Sequence, residues 1–591
     1  MAKRQSFFSE LKRRNVLRAA VLYAGAIWAL GQGLSQFSPA LGLTDWVTRW
    51  FLIAAVIGFP FWVAFAWFYE FTPQGIKRES EVAPNASITH STARKLDFAI
   101  IGVMAVAIVL LGSGYFIRRH APAAIAAQAA FNPATDTLVV LPFQNLSGDS
   151  KQQYFSDGIT EELTDALGQN PALRVIAWDT ASRYRNSSES AKEIGKALNV
   201  AHILHGSIAR AGDQVRITTE LVDARTGYQV WSQHYDDSFA NIFKVQDQVS
   251  QSIAQALQVK LAQVDLPAGG TRNPQAHELV LKGRALINKP DAKSLDAARQ
   301  DFEQALVLDP DYADAHALLA RALLDLTERS DLPLKTTLPA IRAHAQKALA
   351  LDPRNADAWV ALANADANAD PPDIAKARTE YQKALALDPS NEAAHLGYGN
   401  VLPLKSALAE TREATLLDPA NAAAWNNLVV CAQDLGDWAQ MNHAAETLLR
   451  LDPTDVDSAV YLAYAYQQLH QSDKVLTGFD RVQPATDLDK QQVAAGRLVY
   501  RAIQDPALRP QALDALADLS RHQSNQDVAG NLLQMYLALG KNASALQLLE
   551  NFCPANPVAC SDLAISPMYR ALRADPRFQQ LAKKYTTMTL E

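Results

Sequence analysis

The chain has 591 residues, 49% of them hydrophobic, and a formal net charge of −7. That length exceeds what one hydrophobic core organises, so several modules are required. The mildly acidic balance gives no electrostatic case for a nucleic-acid partner.

The first 120 residues contain three stretches free of formal charge: Ala19 to Thr44, Trp50 to Tyr69, and Phe98 to Ile117. Because about 20 apolar residues cross a bilayer core, these predict a membrane domain over residues 1–120 with transmembrane helices at about 17–37, 50–70 and 97–117. Trp50, Trp62, Trp67 and Tyr69 suit the interfacial zone. Gly31-Gln32-Gly33 and Ser35-Gln36 dilute the end of the first stretch, which leaves an interfacial or signal-like helix as its alternative. No small-x-small cleavage site follows it, which argues against a removed signal. Lys3, Arg4, Lys12, Arg13, Arg14 and Arg18 precede the first stretch, and Lys77, Arg78, Arg94 and Lys95 follow the second. Only Arg49 lies between the first two, and Arg118 and Arg119 after the third. Basic residues mark the cytoplasmic side. The expectation is therefore a multi-pass protein of the bacterial inner membrane, with a cytoplasmic N-terminus and everything beyond His120 periplasmic. If the first stretch does not cross, the soluble body lies on the other side.

Residues 121–135 form an Ala-rich linker, and 136–264 have the pattern of a small α/β domain. Thr137 to Phe143 is a continuous apolar run, as in a buried strand. Ser156-Asp157 offers a helix cap, after which Ile159, Leu163, Ala166 and Leu167 share a face until Gly168 and Pro171 end it. Arg174 to Ala177 is a short strand. Val215, Ile217, Thr219 and Leu221 alternate with polar neighbours between Gly212-Asp213 and Thr226-Gly227 turns, which predicts the centre of a three-strand meander. Ile242, Val245, Val249, Ile253 and Leu257 recur at helical spacing and close the domain. His202 and His205 lie on one strand and point to opposite faces, so they do not share a metal. Gln144 to Ser150 has one glycine and is followed by Asp157, Glu161 and Glu162, which disfavours a phosphate there.

These same segments carry a family likeness. VLPFQNLSGDSKQQYFSDGITEEL (Val140 to Leu163), LRVIA (Leu173 to Ala177), GSIARAGDQVRITTELVDARTGYQVWSQHYD (Gly206 to Asp236) and IFKVQDQV (Ile242 to Val249) resemble the TolB amino-terminal-like domain of bacteria. The resemblance implies that tetratricopeptide (TPR) repeats follow, with NPQAHELVLKGRALI (Asn273 to Ile287) as the junction and SPMYRALRADPRF (Ser566 to Phe578) as the ending. Many members of such families carry an adenylate cyclase or winged-helix DNA-binding domain in front, and neither is present in this sequence.

From 273 to 585 the sequence is repetitive. Leu-Asp-Pro recurs with its prolines at Pro310, Pro353, Pro389, Pro419 and Pro453, at separations of 43, 36, 30 and 34 residues. Each proline cannot continue a helix and disfavours α geometry in the residue before it, so each tripeptide is a stop between helix pairs. A period near 34 signals a helical solenoid. Ala298, Phe302 and Ala305, and again Ala377, Tyr381 and Ala384, resemble the second helix of a TPR unit; Trp425, Leu428 and Gly436-Asp437 resemble its first helix and turn. Ile341 and Ala345, and the short stretch from Leu402 to Ala414, depart from the pattern and predict looser packing.

The fold class expected is multi-domain: three N-terminal transmembrane helices, a small α/β domain and an all-α TPR solenoid. By resemblance to peptide-binding TPR proteins, Arg321, Asn364, Asn400, Asn426 and Tyr464 would line a groove holding a protein or peptide, the three amides bonding its backbone. The other reading of these positions is solvated helix surface. Cys553 and Cys560, in NFCPANPVAC, are either a local disulfide or two unrelated thiols, with no third cysteine or histidine nearby to complete a metal site. No catalytic motif, metal or cofactor is expected. The expected partners are a protein on the groove, a lipid bilayer and a second copy of the chain. The function expected is an interaction scaffold or assembly factor, with a sensory subunit serving a separate effector as the alternative and an enzyme as the least favoured.

Overall fold

The structure is a computed structural model that describes residues 133–257, 270–289, 291–330 and 332–590, with scattered N-terminal positions: 16, 20, 23, 24, 27, 55, 58–60, 63, 69–72 and 75–78. It divides into two units, Met1–Ala130 and Phe131–Glu591.

In the first unit, β1 (Tyr69–Thr72) and β2 (Gly75–Arg78) form an antiparallel hairpin, with Tyr69 opposite Arg78 and Thr72 opposite Gly75. The Tyr23 hydroxyl donates to the Ala55 carbonyl over 2.8 Å. Among the described residues, no helix is long and apolar enough to cross a membrane. This corrects the expectation of three transmembrane helices, and with it the multi-pass inner-membrane placement. The physical reason is visible at the end of the second apolar stretch, where Tyr69 and Glu70 are in extended backbone paired with Arg78 and Lys77. An apolar run that closes into a hairpin is not a helix through that point, and Lys77 and Arg78, two of the cations used to orient the chain, are strand residues. The stretch 97–117, most of 17–37 and 50–70, and linker residues 121–132 lie outside the described residues.

The second unit begins with a mixed sheet. β3 (Thr137–Val140), β4 (Gln144–Asn145), β5 (Arg174–Val175), β6 (His202–Ala211), β7 (Gln214–Asp223) and β8 (Gln229–Ser238) are ordered β5-β3-β6-β7-β8, with β4 also on β6. β3 runs parallel to both β5 and β6, while β6, β7 and β8 form the antiparallel meander. A parallel strand covered on both faces should be apolar throughout, and Leu138, Val139 and Val140 are all fully buried. Leu138 and Val140 pack with Phe155, Ile159 and Leu163 of helix Gln153–Gly168 and with Val245 and Val249 of helix Ile242–Ala256. Val139 packs on the opposite side with Ala181 of helix Trp178–Ser182 and Ile194 of helix Ala191–Leu198. Helix 153–168 starts before the Ser156 cap expected from sequence, because Phe155 belongs to the core and Ser156 is buried inside the first turn.

Helix pairs follow: Pro274–Ile287 with Ala292–Leu308, Ala313–Arg329 with Leu334–Leu351, Ala356–Ala367 with Ile374–Leu387, Glu392–Val401 with Leu404–Leu417, and Ala422–Leu435 with Trp438–Leu451. Each second helix ends on the Leu of Leu-Asp-Pro, and the Asp is extended, with φ between −145° at Asp309 and −128° at Asp418. That is the backbone a following proline imposes. Each Asp carboxylate then accepts the amide two residues on, at 3.2, 3.0, 3.0, 3.2 and 2.8 Å in order. The pairs interlock by size: a Cβ on Gly283 would stand 2.3 Å from the Phe302 ring, and one on Gly397 2.5 Å from the Tyr381 hydroxyl. The stretch expected to be loose is a regular helix, Leu404–Leu417, with Leu404, Thr411 and Ala414 buried. Beyond Pro453 the helices Val456–Gln468, Asp487–Gln504, Gln526–Ala538 and Asn542–Phe552 continue the array and share one core running from Leu428 to Tyr585. The described chain is thus mostly helical, with a small mixed sheet and a TPR-like region of helix pairs.

Candidate functional site

The sheet domain does not stand apart from the repeats. The amide of Ala177 donates to the Leu417 carbonyl (2.8 Å), that of Val175 to the Ser390 hydroxyl (3.1 Å), and that of Ala420 to the Thr180 hydroxyl (2.9 Å). Thr180 in turn donates to Asp418, and Arg174 pairs with Glu413. The corners made by Leu-Asp-Pro are therefore the points on which β5 and helix 178–182 rest. At the other end, Leu281 of helix 274–287 packs against Gly158, and His277 Nε2 lies 3.0 Å from Glu162 Oε1.

Between these two lines of contact is a cavity of about 370 Å³. One wall is helix 153–168 with the segment 175–179; the other is built from the first helices of successive pairs. The sheet domain contributes Glu161, Asp165 and Asp179, and the repeats contribute Asp325, Glu328, Asp357, Asp388 and Glu392. Against these eight carboxyls stand three guanidinium groups, those of Arg284, Arg321 and Arg329. Arg284 Nη1 bridges Asp165 Oδ2 at 2.8 Å and Glu161 Oε1 at 3.2 Å. Arg321 donates to Asn288 Oδ1 over 2.9 Å and has Asp325 at 3.8 Å.

Crowding and burial set the protonation of this wall. Burial pushes the Glu161 carboxyl up to about 8; Arg284 opposes this and Asp165 adds to it. Asp388 rises to about 8 through burial and the neighbouring Asp165 and Asp357, and Glu392 to about 8 through burial and Asp418. Asp165 and Asp325 are raised for the same first cause. Burial alone would lower Arg284, but Asp165 and Glu161 outweigh it and hold the guanidinium charged. The cavity holds more acids than arginines, and part of that acid is kept protonated, by burial first and by neighbouring carboxyls second.

The five residues assigned to a groove separate in the structure. Arg321, Asn364 and Asn400 line the cavity and so face the chain's own sheet domain. Asn364 Oδ1 accepts from the Tyr381 hydroxyl (2.9 Å) and its Nδ2 donates to the Val360 carbonyl (3.1 Å); Asn400 Oδ1 accepts from Asn427 Nδ2 (2.7 Å). Asn426 is exposed and does not line the cavity. Tyr464 is buried at 5% exposure, its ring 5.7 Å from that of Trp438 in an edge-on contact, and is a core residue. Cys553 and Cys560 are joined by a disulfide, and Cys431 is a free thiol that burial raises to about 11. Among the described residues, no group of three or more His, Cys, Asp or Glu side chains is placed to hold a metal ion. Sequence reasoning missed Glu161, Arg284, Asp388 and Glu392. The one local signal was an arginine in an otherwise apolar turn, Gly283 to Ile287.

Fold and site together define a TPR-like helical-repeat protein in which a mixed-sheet domain closes over the first helices of the array. Part of the chain is 36% identical over 191 residues to a protein of Rhizobium meliloti (strain 1021) named "Putative adenylate cyclase 3"; the match spans 32% of this chain and 32% of that protein's length. Among solved structures, it is similar to YrrB, a TPR protein with an unusual peptide-binding site (21% identity, 31% of this chain and 90% of that one, TM-score 0.25), and to PilF of Pseudomonas aeruginosa (22%, 35% and 90%, TM-score 0.28). No family model matches the chain.

Proposed function

We propose that the protein is a non-catalytic interaction scaffold: its helix pairs hold a protein partner, and its sheet domain, TolB amino-terminal-like in sequence, governs how much of the inner face is open to that partner. The observation that carries this reading is the seam itself, in which the sheet domain is bonded to two Leu-Asp-Pro corners and to the first helix, with amides and acids of the first helices left around a cavity. A repeat array presents an extended surface suited to gripping macromolecules. The test is crosslinking of the full chain in cells, with wild type compared to an Asn400→Ala, Asn426→Ala pair at exposed amides. A partner crosslinked to the repeats by wild type and lost from the folded pair supports the scaffold; the same proteins recovered from both chains would remove it. The relative's name favours a second reading, in which the chain is the regulatory part of a nucleotide-signalling system. In that case purified chain incubated with ATP and a divalent metal would accumulate cyclic nucleotide, or would alter its production by a separate cyclase.

A further inference from the structure

The cavity between helix 153–168 and the repeats differs from an ordinary acidic surface in three respects. It lies between two layers of the same unit, its volume of about 370 Å³ is that of a small-molecule site, and its acids outnumber its bases, with eight carboxyls facing three arginines. Structural ion-pair clusters are expected to approach neutrality, because an uncompensated buried charge is costly. This one approaches neutrality only by keeping some of its carboxyls protonated, and a bound cation would supply the missing counter-charge. Glu161 is 4% exposed and its Oε1 pairs with Arg284, but its Oε2 has no hydrogen-bond partner. A buried carboxyl oxygen without a partner, on a side chain that lines a cavity, is an acceptor that a bound donor would satisfy.

The chemistry of the donor follows from the wall. No metal-binding cluster is formed among the described residues. The amides of Asn364, Asn391 and Asn400 and the apolar Val360, Ala361 and Leu396 instead alternate with the acids, which suits an organic cation with a carbon chain. We propose that the cavity binds an organic cation, an alkylammonium or guanidinium group, seated between Glu161 of the sheet domain and Asp388 and Glu392 of the repeats. The three carboxyls come from different elements, so the bound cation ties the sheet domain to the array. The site shares its place with the inner face of the scaffold reading but does not depend on partner capture: cation binding survives if no protein is crosslinked, and the scaffold survives if no cation binds.

Ionisation supplies a signature. Glu161, Asp388 and Glu392 rise to about 8 by burial, with Asp165, Asp325 and Glu328 raised as well, while Arg284 and Arg321 stay charged. Asp179, Asp357 and Arg329 complete the charged wall. A cation favours the ionised carboxylates, so binding releases protons and tightens as pH rises from about 7 to about 9, until the ligand's own ammonium begins to deprotonate.

The experiment is calorimetric titration of the full chain with two probes in parallel: spermidine, and an acetylated, amidated Ala-Arg-Ala tripeptide. Saturable binding of either supports the site; tighter spermidine assigns it to a free polyamine, and tighter tripeptide to a basic side chain of a partner. Glu161→Gln and Asp388→Asn should each weaken binding at least about tenfold, the loss expected for one charge-assisted contact. Both variants lower the charge crowding, so their melting temperatures should not fall, and Glu392→Gln provides a third chance should one misfold. No saturable binding of either probe up to millimolar concentration, or binding untouched by the substitutions, overturns the proposal.

Discussion

At the scale of single residues, the repeat signature is a stop and a restart written in five positions. Asp388 accepts the Ser390 amide at 3.0 Å while Pro389 prevents continuation, and Asn391 then caps the next helix by accepting the Ala394 amide at 2.9 Å. The same Asn391 donates to Asp357 Oδ1 of the preceding repeat at 3.0 Å, as Asn355 does to Asp314 at 2.8 Å. Capping and stacking are thus one side chain's work. Asn391→Ala should lose about 1–2 kcal/mol, read as a lower urea midpoint. Asn391→Asp, which keeps the cap but sets a second carboxylate against Asp357, should not rescue it; full rescue would mean that only the cap matters. The buried acids make a second prediction. Glu161, Asp388 and Glu392 have folded values near 8, far above those of an unfolded chain. Between about pH 4 and about pH 8 the folded state holds more protons, so stability falls as pH rises through that window and levels off above it. Groups shifted down, such as Glu162 and Glu278, act only at lower pH. Melting should therefore be several degrees higher at about pH 5 than at about pH 8.5, and Glu392→Gln should flatten the slope; a rising slope would refute the assignment.

At the scale of elements, helix 274–287 is where the two parts of the unit meet. It places Arg284 between Glu161 and Asp165, His277 against Glu162, and Leu281 in the hollow left by Gly158. A Cβ at Gly158 would lie 2.6 Å from Leu281 Cδ2 and 3.2 Å from its Cα, so the helices must separate. Gly158→Ala should cost about 1–3 kcal/mol by overpacking. Arg284→Met should cost about 3–5 kcal/mol at high pH, where Glu161 ionises unpaired, and less where it is protonated; denaturation at two pH values distinguishes this from simple loss of packing. These elements also mark how far the sequence could be read. Proline stops, small-aromatic pairs and period-2 strands act through neighbours within one or two turns, so the helix pairs, β3 and the meander are visible in the residues alone. The seam is not, since Val175 and Ser390 are 215 residues apart and no local period links them. Tyr464 fails for a related reason: its repeat position matches a groove residue, but Trp438 and the helices after Pro453 pack over it. Arg321 and Asn364 have the expected exposure to a concavity, but the sheet domain faces them there.

At the scale of the whole unit from Phe131 to Glu591, the question is whether sheet domain and repeats behave as one body. The sheet domain has its own core, and so has the array beyond Leu428. At the Leu-Asp-Pro corners they are joined by Ser390 to β5, Thr180 to Asp418 and Ala420, Arg174 to Glu413, Arg183 to the Ala420 carbonyl, and the backbone pair of Ala177 and Leu417. Each such bond contributes about 1 kcal/mol net, which is small beside either core. The seam should then open before either core unfolds, as a sub-global fluctuation. Ser390→Ala with Thr180→Val removes the hydroxyl bonds but leaves Arg174 on Glu413, Arg183 on the Ala420 carbonyl and the backbone pair of Ala177 and Leu417. In hydrogen exchange, the amides of Val175, Ala177 and Ala420 should lose protection about tenfold or more in this double variant. The amides of helices 456–468 and 526–538, in the far core, should keep theirs. Uniform loss across both regions would mean one cooperative body in which the sheet domain cannot move alone. Unchanged protection at the seam would mean that the remaining contacts, the arginine pairs of Arg174 and Arg284 among them, hold the closure without the hydroxyls. Selective loss would establish the seam as the weak joint, and would place control of access to the inner face in a handful of hydrogen bonds between Leu-Asp-Pro corners and one short helix.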